Sequence, residues 1–467
     1  MSRIHAFADD ALADLDAVAL AEHLALGKVS IPEVVEAAIA RTEQVAGPLN
    51  ALAVECFDRA RAEAADPRGG YFAGVPTFVK DNSDLAGLPT MQGSDAFDPR
   101  PAKRDGDFAR MFLATGLIPL GKTQLSEYGF SAVAEHPRIG PVRNPWSTDH
   151  TAGASSSGSA ALVAAGAVPL AHANDGGGSI RIPAAVNGLV GLKPTRGRLA
   201  QDAVLRKMPV RVVSDGVVTR SVRDTAAFLR ESEKVYRDLA LAPVGDVTRP
   251  GRARRTVAVV TDGIGVSASP EVVDLTRQTA ELLESLGHHV EWIDQPVPTS
   301  FRDDFLLYWG LLASTIVATG RLEHGRSWHK DKLDGLTLGL DRHCRRHLAQ
   351  VPGAIRRLRR SADLMAEVAS SYDVLLTPTL AIQTPEVGWL DPMQDYDVVL
   401  ERLLQWVAYT PVQNAAGVPA ISLPLATTAA GLPHGMMLSA GQGREGLLLE
   451  LAYELEEARP WPLLRDA

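Results

Sequence analysis

Residues 151–198 decide the fold and read TAGASSSGSAALVAAGAVPLAHANDGGGSIRIPAAVNGLVGLKPTRGR. The small residues from Ser159 to Gly166 predict a helix that can pack closely against a sheet. Val168–Ala173 and Leu189–Leu192 are short apolar runs bounded by turn residues, which predict buried strands. The stretch therefore predicts two strands of a sheet with a tightly packed helix beside them.

The same alternation of strands and helices extends over the rest of the chain. Residues 10–45 predict helices, because Ser30-Ile31-Pro32-Glu33 has the form of a capping box. A helix opened by Ser269-Pro270 separates two strand-like runs, which is typical of a βαβ unit. Further strands are predicted at residues 74–80, Thr256–Thr261, His289–Ile293, Val374–Leu376 and Ala420–Leu423. This pattern predicts an α/β fold with a mixed, mostly parallel central sheet covered by helices on both faces.

The chain has 467 residues, a length that suggests about three domains. No repeat, low-complexity tract or clear linker divides it, so we expect a single domain over residues 1–467. We describe this domain as a helical segment over about 1–65, a core over about 70–200, a variable region over about 200–370, and C-terminal strands and helices over about 371–467.

Composition excludes several classes of protein. The formal net charge is −9, which does not favour a general nucleic-acid binder. The two cysteines cannot form a disulfide framework and fit a reducing compartment. The longest apolar stretch, Ala160–Ala171, falls short of the ~20 residues that a membrane span needs. We therefore expect a cytoplasmic protein without a membrane or nucleic-acid partner.

Two clusters of glycine and serine within 151–198 carry the candidate chemistry, although each alone is also typical of turns. A serine nucleophile needs a base for its proton and donors for the resulting oxyanion. The glycines before Ser179 would bring backbone N–H groups close to a substrate carbonyl. Lys80 ends an apolar segment, where burial lowers the pKa of an amine. Neutralising a lysine of pKa about 10.4 at pH 7 costs about 4.6 kcal/mol, most of which burial must supply.

Several segments, in one fixed order, resemble the amidase signature family of serine hydrolases, and its mycobacterial-type amidases in particular. The segments are LALGKVSIPEVVEAAIARTEQVAGPLNA (24–51), GVPTFVKDN (74–82), LGKTQLSEYGFS (120–131), RNPW (143–146), GASSSGSAA (153–161), DGGGSIRIPA (175–184), GLVGLKPTRGR (188–198), LLTPT (375–379) and NAAGVPAISLPL (414–425). The resemblance implies the amidase signature fold. It also implies an acylamide amidohydrolase, which cleaves the C–N bond of a carboxylic amide to give a carboxylate and ammonia or an amine.

The resemblance also assigns roles to residues. Ser179 matches the nucleophile, Ser155 matches a bridging serine that follows a cis peptide bond, and Lys80 matches the base. The backbone N–H groups of the family's oxyanion hole correspond to Gly176, Gly177, Gly178 and Ser179. Ser156, Asp175 and Arg181 are candidates for supporting these groups. Gly176 replaces the family's usual Thr or Ile, so we expect a more flexible oxyanion loop.

The acyl-binding cavity is predicted less sharply. By position in the family, Tyr128 and Phe130 fall near it, and Trp309 is a further candidate; core packing is the alternative for each. If Phe130 lines the cavity, apolar or aryl amides are favoured, with esterase or hydrazidase side activity. The resemblance implies no cofactor and no metal, and it allows a homodimer.

Other functions within the family stay open. One is the amidase subunit of a glutamyl-tRNA amidotransferase, but QDAVLRKMPVRVVSDGVVTRSVRD (201–224) lacks the ASSLDQ-type segment of that class. A cyclic-amide or oligoamide hydrolase is another. A scaffold without catalysis is disfavoured because all three catalytic positions are intact. For Lys122 and Lys193 we prefer an ion pair or hydrogen bond that holds a loop.

Overall fold

The structure is a computed structural model that describes residues 2–466. Its helices are α1 Ala17–Ala25, α2 Ile31–Leu49, α3 Phe57–Ala65, α4 Asp107–Leu113, α5 Ser157–Ala164, α6 Arg181–Asn187, α7 Ala203–Arg206, α8 Val222–Val235, α9 Pro270–Ser285, α10 Ser300–His324, α11 Gly335–Arg346, α12 Val351–Arg359, α13 Ser361–Ser371, α14 Tyr396–Trp406, α15 Pro411–Ala416 and α16 Glu445–Ala458. Short 3₁₀ helices cover Glu127–Gly129, Gly325–Ser327, Lys330–Lys332, Leu348–Gln350 and Leu464–Asp466.

The strands are β1 Leu52–Glu55, β2 Pro76–Lys80, β3 Ile118–Thr123, β4 Glu135–His136, β5 Gly140–Pro141, β6 Arg143–Asn144, β7 Ser147–Thr151, β8 Leu170–Asp175, β9 Val190–Lys193, β10 Ser214–Thr219, β11 Thr256–Val259, β12 His289–Trp292, β13 Val374–Pro378, β14 Ala420–Thr427 and β15 Pro433–Ala440. Eight of them form one sheet in the order β12-β11-β13-β15-β14-β9-β10-β8. A second sheet has the order β1-β3-β2, and β4-β5 and β6-β7 form two small ribbons.

Local sequence explains where the helices begin. The Ser30 side chain accepts a hydrogen bond from the Glu33 N–H, and the Glu33 side chain returns to the Ser30 N–H, so the predicted capping box starts α2. Ser269 caps α9 with Pro270 in its first turn. Strands β11 and β12, which flank α9, pair in parallel, so the predicted βαβ unit is present.

The main sheet is mixed, as predicted, but the prediction that it is mostly parallel is wrong. Among the described strands of this sheet only β11–β12 and β11–β13 pair in parallel, and the other neighbours are antiparallel. The reason is connectivity. A short turn around Gly431 joins β14 to β15, and such a turn can join only antiparallel strands.

Helices cover this sheet and position the site. Helix α6 packs against β9, β14 and β15, while α8, α9 and α16 pack against β10, β13, β14 and β15. Strand β2 of the second sheet lies beside β8, which brings the end of β2 next to the loop that follows β8. The predicted α/β fold is therefore confirmed, and residues distant in sequence meet where β2 and β8 end.

Helix α10 has the composition of a membrane span but the contacts of a core helix. The segment Ser300–Ser327 is the one candidate span that length and composition give within residues 2–466, with a mean hydropathy of 1.4. It packs against α11 and α12. Its Phe305 and Trp309 line an internal cavity.

Candidate active site

Three chain segments meet at the site. Strand β2 ends at Lys80, strand β8 ends at Asp175, and α5 begins just after Ser155 and Ser156. The peptide bond between Ala154 and Ser155 is cis, as the family resemblance implied.

Lys80 is fully buried and contacts both serines that precede α5. Its Nζ donates hydrogen bonds to Ser155 Oγ at 2.6 Å, to Ser156 Oγ at 2.9 Å and to Asn174 Oδ1 at 2.6 Å. Burial lowers the pKa of Lys80 to about 7, although the charges of Asp215 and Asp175 oppose this shift. Near neutral pH a large fraction of this amine is therefore uncharged and able to accept a proton.

The hydroxyl groups around Lys80 differ in their hydrogen bonds. Ser156 Oγ lies 2.6 Å from the carbonyl oxygen of Ser179 and donates to it, so Ser156 fixes the backbone at that residue. Ser155 Oγ accepts from Lys80. Within residues 2–466 no hydrogen bond joins the hydroxyls of Ser155 and Ser179. The structure thus assembles Lys80 with Ser155, while the Ser179 side chain faces the neighbouring cavity.

Asp175 holds the glycine loop in place. Its Oδ1 accepts from the Gly178 N–H at 2.7 Å, and its Oδ2 accepts from the Ile180 N–H at 3.1 Å. Arg181 pairs with both oxygens, with Nη2–Oδ1 and Nε–Oδ2 distances of 2.9 Å. Burial alone would raise the pKa of Asp175, but the charge and hydrogen bonds of Arg181, together with Lys193 and Asn414, hold the pKa at about 2. Asp175 and Arg181, the two residues expected to support the loop, thus form a buried ion pair.

The backbone N–H groups of the loop are not equivalent. The Gly178 N–H already donates to Asp175, so it does not point to an oxyanion, contrary to the prediction from the resemblance. The N–H groups of Gly176, Gly177 and Ser179 have no acceptor among the described residues, which leaves them available to a ligand. Gly178 has φ +139°, and a Cβ there would lie 2.4 Å from Thr410 Oγ1, so this position needs glycine for its backbone.

Gly176 and Trp309 fit each other in size. A Cβ at position 176 would lie 3.0 Å from Cη2 of Trp309 and 3.4 Å from Val213. The indole is held in turn by the Phe130 carbonyl, which accepts from its Nε1 at 3.0 Å, and by the stacked ring of Phe305. The space that the family's Thr or Ile would occupy is therefore filled by Trp309, which supports the loop from the cavity side.

A cavity of about 90 Å³ lies directly beside Ser179. Its walls are almost entirely apolar. The lining residues are Gly129, Phe130, Ser131, Ala132, Ala154, Gly177, Ser179, Ile182, Ile264, Phe301, Arg302, Phe305, Leu306, Trp309, Leu340, Leu400, Leu403, Leu404, Val407, Ala408 and Pro411. Sites that bind small molecules commonly have this make-up, with a few polar groups in an apolar wall.

The structure places the three predicted pocket residues differently. Phe130 and Trp309 line the cavity, with their rings edge-to-face at 5.6 Å. Tyr128 does not line it, so its prediction as a cavity residue is wrong. Its backbone turns left-handed, with φ 49°, and its N–H donates to the Gln92 carbonyl, so the ring packs behind Phe130.

Several residues of the site were not predicted from the sequence. Asn174 accepts from Lys80, and Asn414 Nδ2 donates to Asp175 Oδ1 at 2.8 Å. Thr410 Oγ1 donates to the Gly177 carbonyl at 2.5 Å. Asn174 lies within residues 151–198, and Asn414 is the first residue of the segment NAAGVPAISLPL, so both belong to motifs. No pattern connected them with partners that are 94 and 239 residues away.

The other buried lysines hold structure, as preferred from the sequence. Lys122 Nζ lies 2.6 Å from Asp81 Oδ1, and Lys193 Nζ donates to the Pro194 carbonyl at 2.8 Å. Among the described residues no group of three His, Cys, Asp or Glu side chains could hold a metal ion.

Comparisons with known proteins find relatives along almost the whole chain. Residues 33–449 match the family model described as Amidase. "Putative amidase AmiC" of Mycobacterium leprae is 61% identical over 99% of this chain and 98% of its own length. The 6-aminohexanoate-cyclic-dimer hydrolase of Paenarthrobacter ureafaciens is 33% identical over 96% of this chain and 95% of its own length.

Solved structures share the fold. The structure of a 6-aminohexanoate cyclic dimer hydrolase matches with a TM-score of 0.87 and 31% identity, over 97% of this chain and 98% of that one. A bacterial aryl acylamidase of the amidase signature family matches with a TM-score of 0.86 and 27% identity, over the same two shares. The chain therefore belongs to the amidase signature family, whose members are hydrolases that act on amides.

Proposed function

We propose that this enzyme cleaves the C–N bond of its amide through an acyl-enzyme on Ser179, with Ser155 and Lys80 as the proton relay and base. The observation that carries the proposal is the 2.6 Å contact between Lys80 Nζ and Ser155 Oγ in a fully buried site. Burial lowers the pKa of Lys80 to about 7, so a neutral amine is available to begin the relay.

The proton path balances in both half-reactions. A rotation about the Cα–Cβ bond of Ser179 brings its hydroxyl to Ser155, which passes a proton to neutral Lys80. Ser179 Oγ attacks the carbonyl carbon, and N–H groups of Gly176, Gly177 and Ser179 stabilise the oxyanion. The proton then returns through Ser155 to the leaving nitrogen, and the C–N bond breaks. Water enters by the same relay and releases the carboxylate.

The cavity supports a small apolar or aryl acyl group. Phe130, Phe305 and Trp309 supply flat apolar walls next to Ser179. With the acyl group in this cavity and the leaving group outside it, esters and hydrazides of the same acids are expected side substrates. Next to Ser179 an uncharged acyl group should bind better than a charged one, because a buried charge without a partner is costly.

A cyclic amide or oligoamide is the second candidate substrate. Its support is the 33% identity to proteins named 6-aminohexanoate-cyclic-dimer hydrolase, over 96% of this chain. Flexible aliphatic diamides fit an apolar cavity as well as aryl amides do. A substrate screen that contains aryl, aliphatic and cyclic amides, esters and hydrazides distinguishes the two candidates by their kcat/KM.

The test of the mechanism is covalent. Intact-mass measurement after mixing with an activated ester or a fluorophosphonate should show one adduct in the wild type and none in Ser179→Ala. Ser155→Ala and Lys80→Ala should form the adduct much more slowly, and amide turnover should fall more than ester turnover because the amine leaves only when protonated. Ser285→Ala, on the exposed face of α9, is the matched control. Acylation of Ser179→Ala would contradict the assignment.

A further inference from the structure

The apolar cavity contains one charged side chain. Among the described lining residues, Arg302 is the only one with a formal charge; the rest are apolar apart from Ser131 and Ser179. Arg302 is half-buried, and the same residue lines a second, outer recess with Leu400 and Leu404. Arg302 therefore lies where the cavity opens towards solvent. Its side chain is charged, whereas the rest of the described cavity wall is uncharged.

The guanidinium of Arg302 is poorly paired. Its nearest acceptor is Asp303 Oδ1, 3.4 Å from Nε, and the Asp303 side chain is 73% exposed. A solvated pair of this kind contributes little. Its terminal nitrogens have no acceptor among residues 2–466, and Gly265 leaves them room, since a Cβ there would lie 3.3 Å from Nη1. The terminal N–H groups of the Arg302 guanidinium, a planar fork of hydrogen-bond donors, are thus available at the mouth of the cavity.

Helix α10 carries both Arg302 and the aromatic residues of the cavity wall. Phe301, Phe305 and Trp309 recur every four residues, and neighbouring rings stack at 5.8 Å and 5.4 Å. Trp309 touches the oxyanion loop at Gly176, whereas Arg302 lies at the other end of this row. At a rise of 1.5 Å per residue, the two positions are separated by about 10 Å along the helix.

We propose that Arg302 is a carboxylate-binding subsite, so that preferred substrates carry an anionic group separated from the scissile amide by an apolar or aryl spacer. The proposal rests on the proposed function, because it assumes that the acyl group occupies the cavity beside Ser179. A carboxylate fits the guanidinium fork with two parallel hydrogen bonds. The spacer lies along the aromatic row, and the anionic end fixes its depth.

Two acidic residues near Arg302 would favour a cationic group on the substrate instead of an anionic one. Asp397 and Glu401 line the outer recess together with Arg302, although no ion pair joins Arg302 to either of them. If they dominated the mouth, a cationic end would bind better than an anionic one. We favour the anion because Arg302 reaches the catalytic cavity itself, whereas Asp397 and Glu401 line only the outer recess.

Binding and turnover are measured separately with one substrate series. The series consists of 3-phenylpropionamides with a para carboxymethyl, ethyl or aminomethyl group, which share the scissile amide and the spacer. Calorimetry on Ser179→Ala gives their affinities without hydrolysis. We expect the carboxymethyl compound to bind at least tenfold tighter than the ethyl compound, as a charge-assisted pair supports. Equal affinities, or tighter binding of the aminomethyl compound, would overturn the subsite.

Variants assign the preference to Arg302. In the Ser179→Ala background, Arg302→Met should remove the preference, so that the carboxymethyl compound no longer binds tighter than the ethyl compound. Arg302→Lys should retain part of it, because charge remains but the fork is lost. Arg277→Met is the matched control, an exposed arginine paired with Asp274 on α9. A preference that survives Arg302→Met overturns the proposal. Ammonia release by the wild-type enzyme tests the proposed function independently of these affinities.

Discussion

Lys80 and Lys193 are chemically alike but have different surroundings. Both side chains are fully buried at the end of a strand, and burial lowers the pKa of each to about 7. Lys80 donates to two serine hydroxyls and to Asn174. Lys193 donates to the backbone carbonyl of Pro194. A lowered pKa therefore does not by itself identify a base; the partner of the amine decides whether a proton can be passed on.

The two lysines also share a neighbour. The carboxylate of Asp175 raises the pKa of both, while Arg181 lies close enough to Lys193 to lower its pKa further. The buried pair of Asp175 and Arg181 thus lies between the end of the core that holds Lys80, the proposed catalytic end, and the end that holds Lys193, the structural end. Substitutions at these positions should separate loss of chemistry from loss of stability.

The largest contrast is expected from removing each amine. Lys80→Met should lower kcat/KM for an aryl amide by about 10⁴-fold, because the relay loses its base. Lys193→Met should lower it less than tenfold, because no hydroxyl depends on that amine. Steady-state kinetics on both variants, with circular dichroism to verify folding, gives the comparison. Equal losses in the two variants would contradict the division of roles.

Removing the carboxylate charge of Asp175, which lies between the two lysines, should mainly lower the free energy of unfolding. Asp175→Asn leaves Arg181 buried without its counter-ion and loosens Gly178, so we expect a loss of about 3–5 kcal/mol in urea unfolding. Asp274→Asn, in an exposed pair with Arg277, should lose under about 0.5 kcal/mol. A loss below about 1 kcal/mol in Asp175→Asn would show that the pair does not hold the loop.

The catalytic end should also be sensitive to volume. Gly176→Thr places a side chain against Trp309, which should cost about 1–3 kcal/mol of transition-state binding and lower kcat/KM about 5- to 150-fold. Trp309→Leu in the same background should recover part of the loss by making room. Gly47→Thr, at a glycine with nothing within 4 Å, is the control. If Trp309→Leu brings no recovery, the two residues are not matched in size.

The smallest effect is expected at the structural end. The folded-state pKa of Lys193, about 7, lies below its ordinary value of 10.5, so the unfolded chain binds more protons between these pH values and stability rises with pH. The neutralisation that Lys193→Met removes costs up to about 4 kcal/mol at pH 7, from which the lost hydrogen bond and the poorer fit of methionine subtract, so we expect a net gain of about 1–2 kcal/mol. The gain should vanish near pH 10 in urea unfolding. A gain independent of pH would contradict a buried, neutral Lys193.

Sequence reasoning selected the residues whose proposed chemistry lies within motifs. Lys80, Ser155 and the capping box at Ser30 were predicted because each stands in a short pattern with a local meaning. The direction of strand pairing was missed, since hydrophobic periodicity marks a strand as buried but does not identify its neighbours. Tyr128 was predicted from its place beside Phe130, but its backbone is left-handed, with φ 49°, and it is not among the residues that line the cavity.

The network around the glycine loop could not be predicted for a related reason. Asn174, Thr410 and Asn414 come from separate parts of the chain and meet only after β8 and α15 pack. The resemblance supplied Gly178 as an oxyanion donor, but the position of Asp175 commits that N–H elsewhere. Hydrogen-bond partners depend on angles and distances that residue spacing does not contain.

The central claim is that neutral Lys80 starts the relay, and the pH dependence of kcat/KM tests it most directly. Since activity needs the neutral amine, kcat/KM should fall as the pH drops through about 7, the pKa of buried Lys80. Lys193→Met should keep the same midpoint, because the titrating group is still present. A profile that is flat between about pH 6 and pH 9, or a midpoint that moves when Lys193 is replaced, would contradict the account.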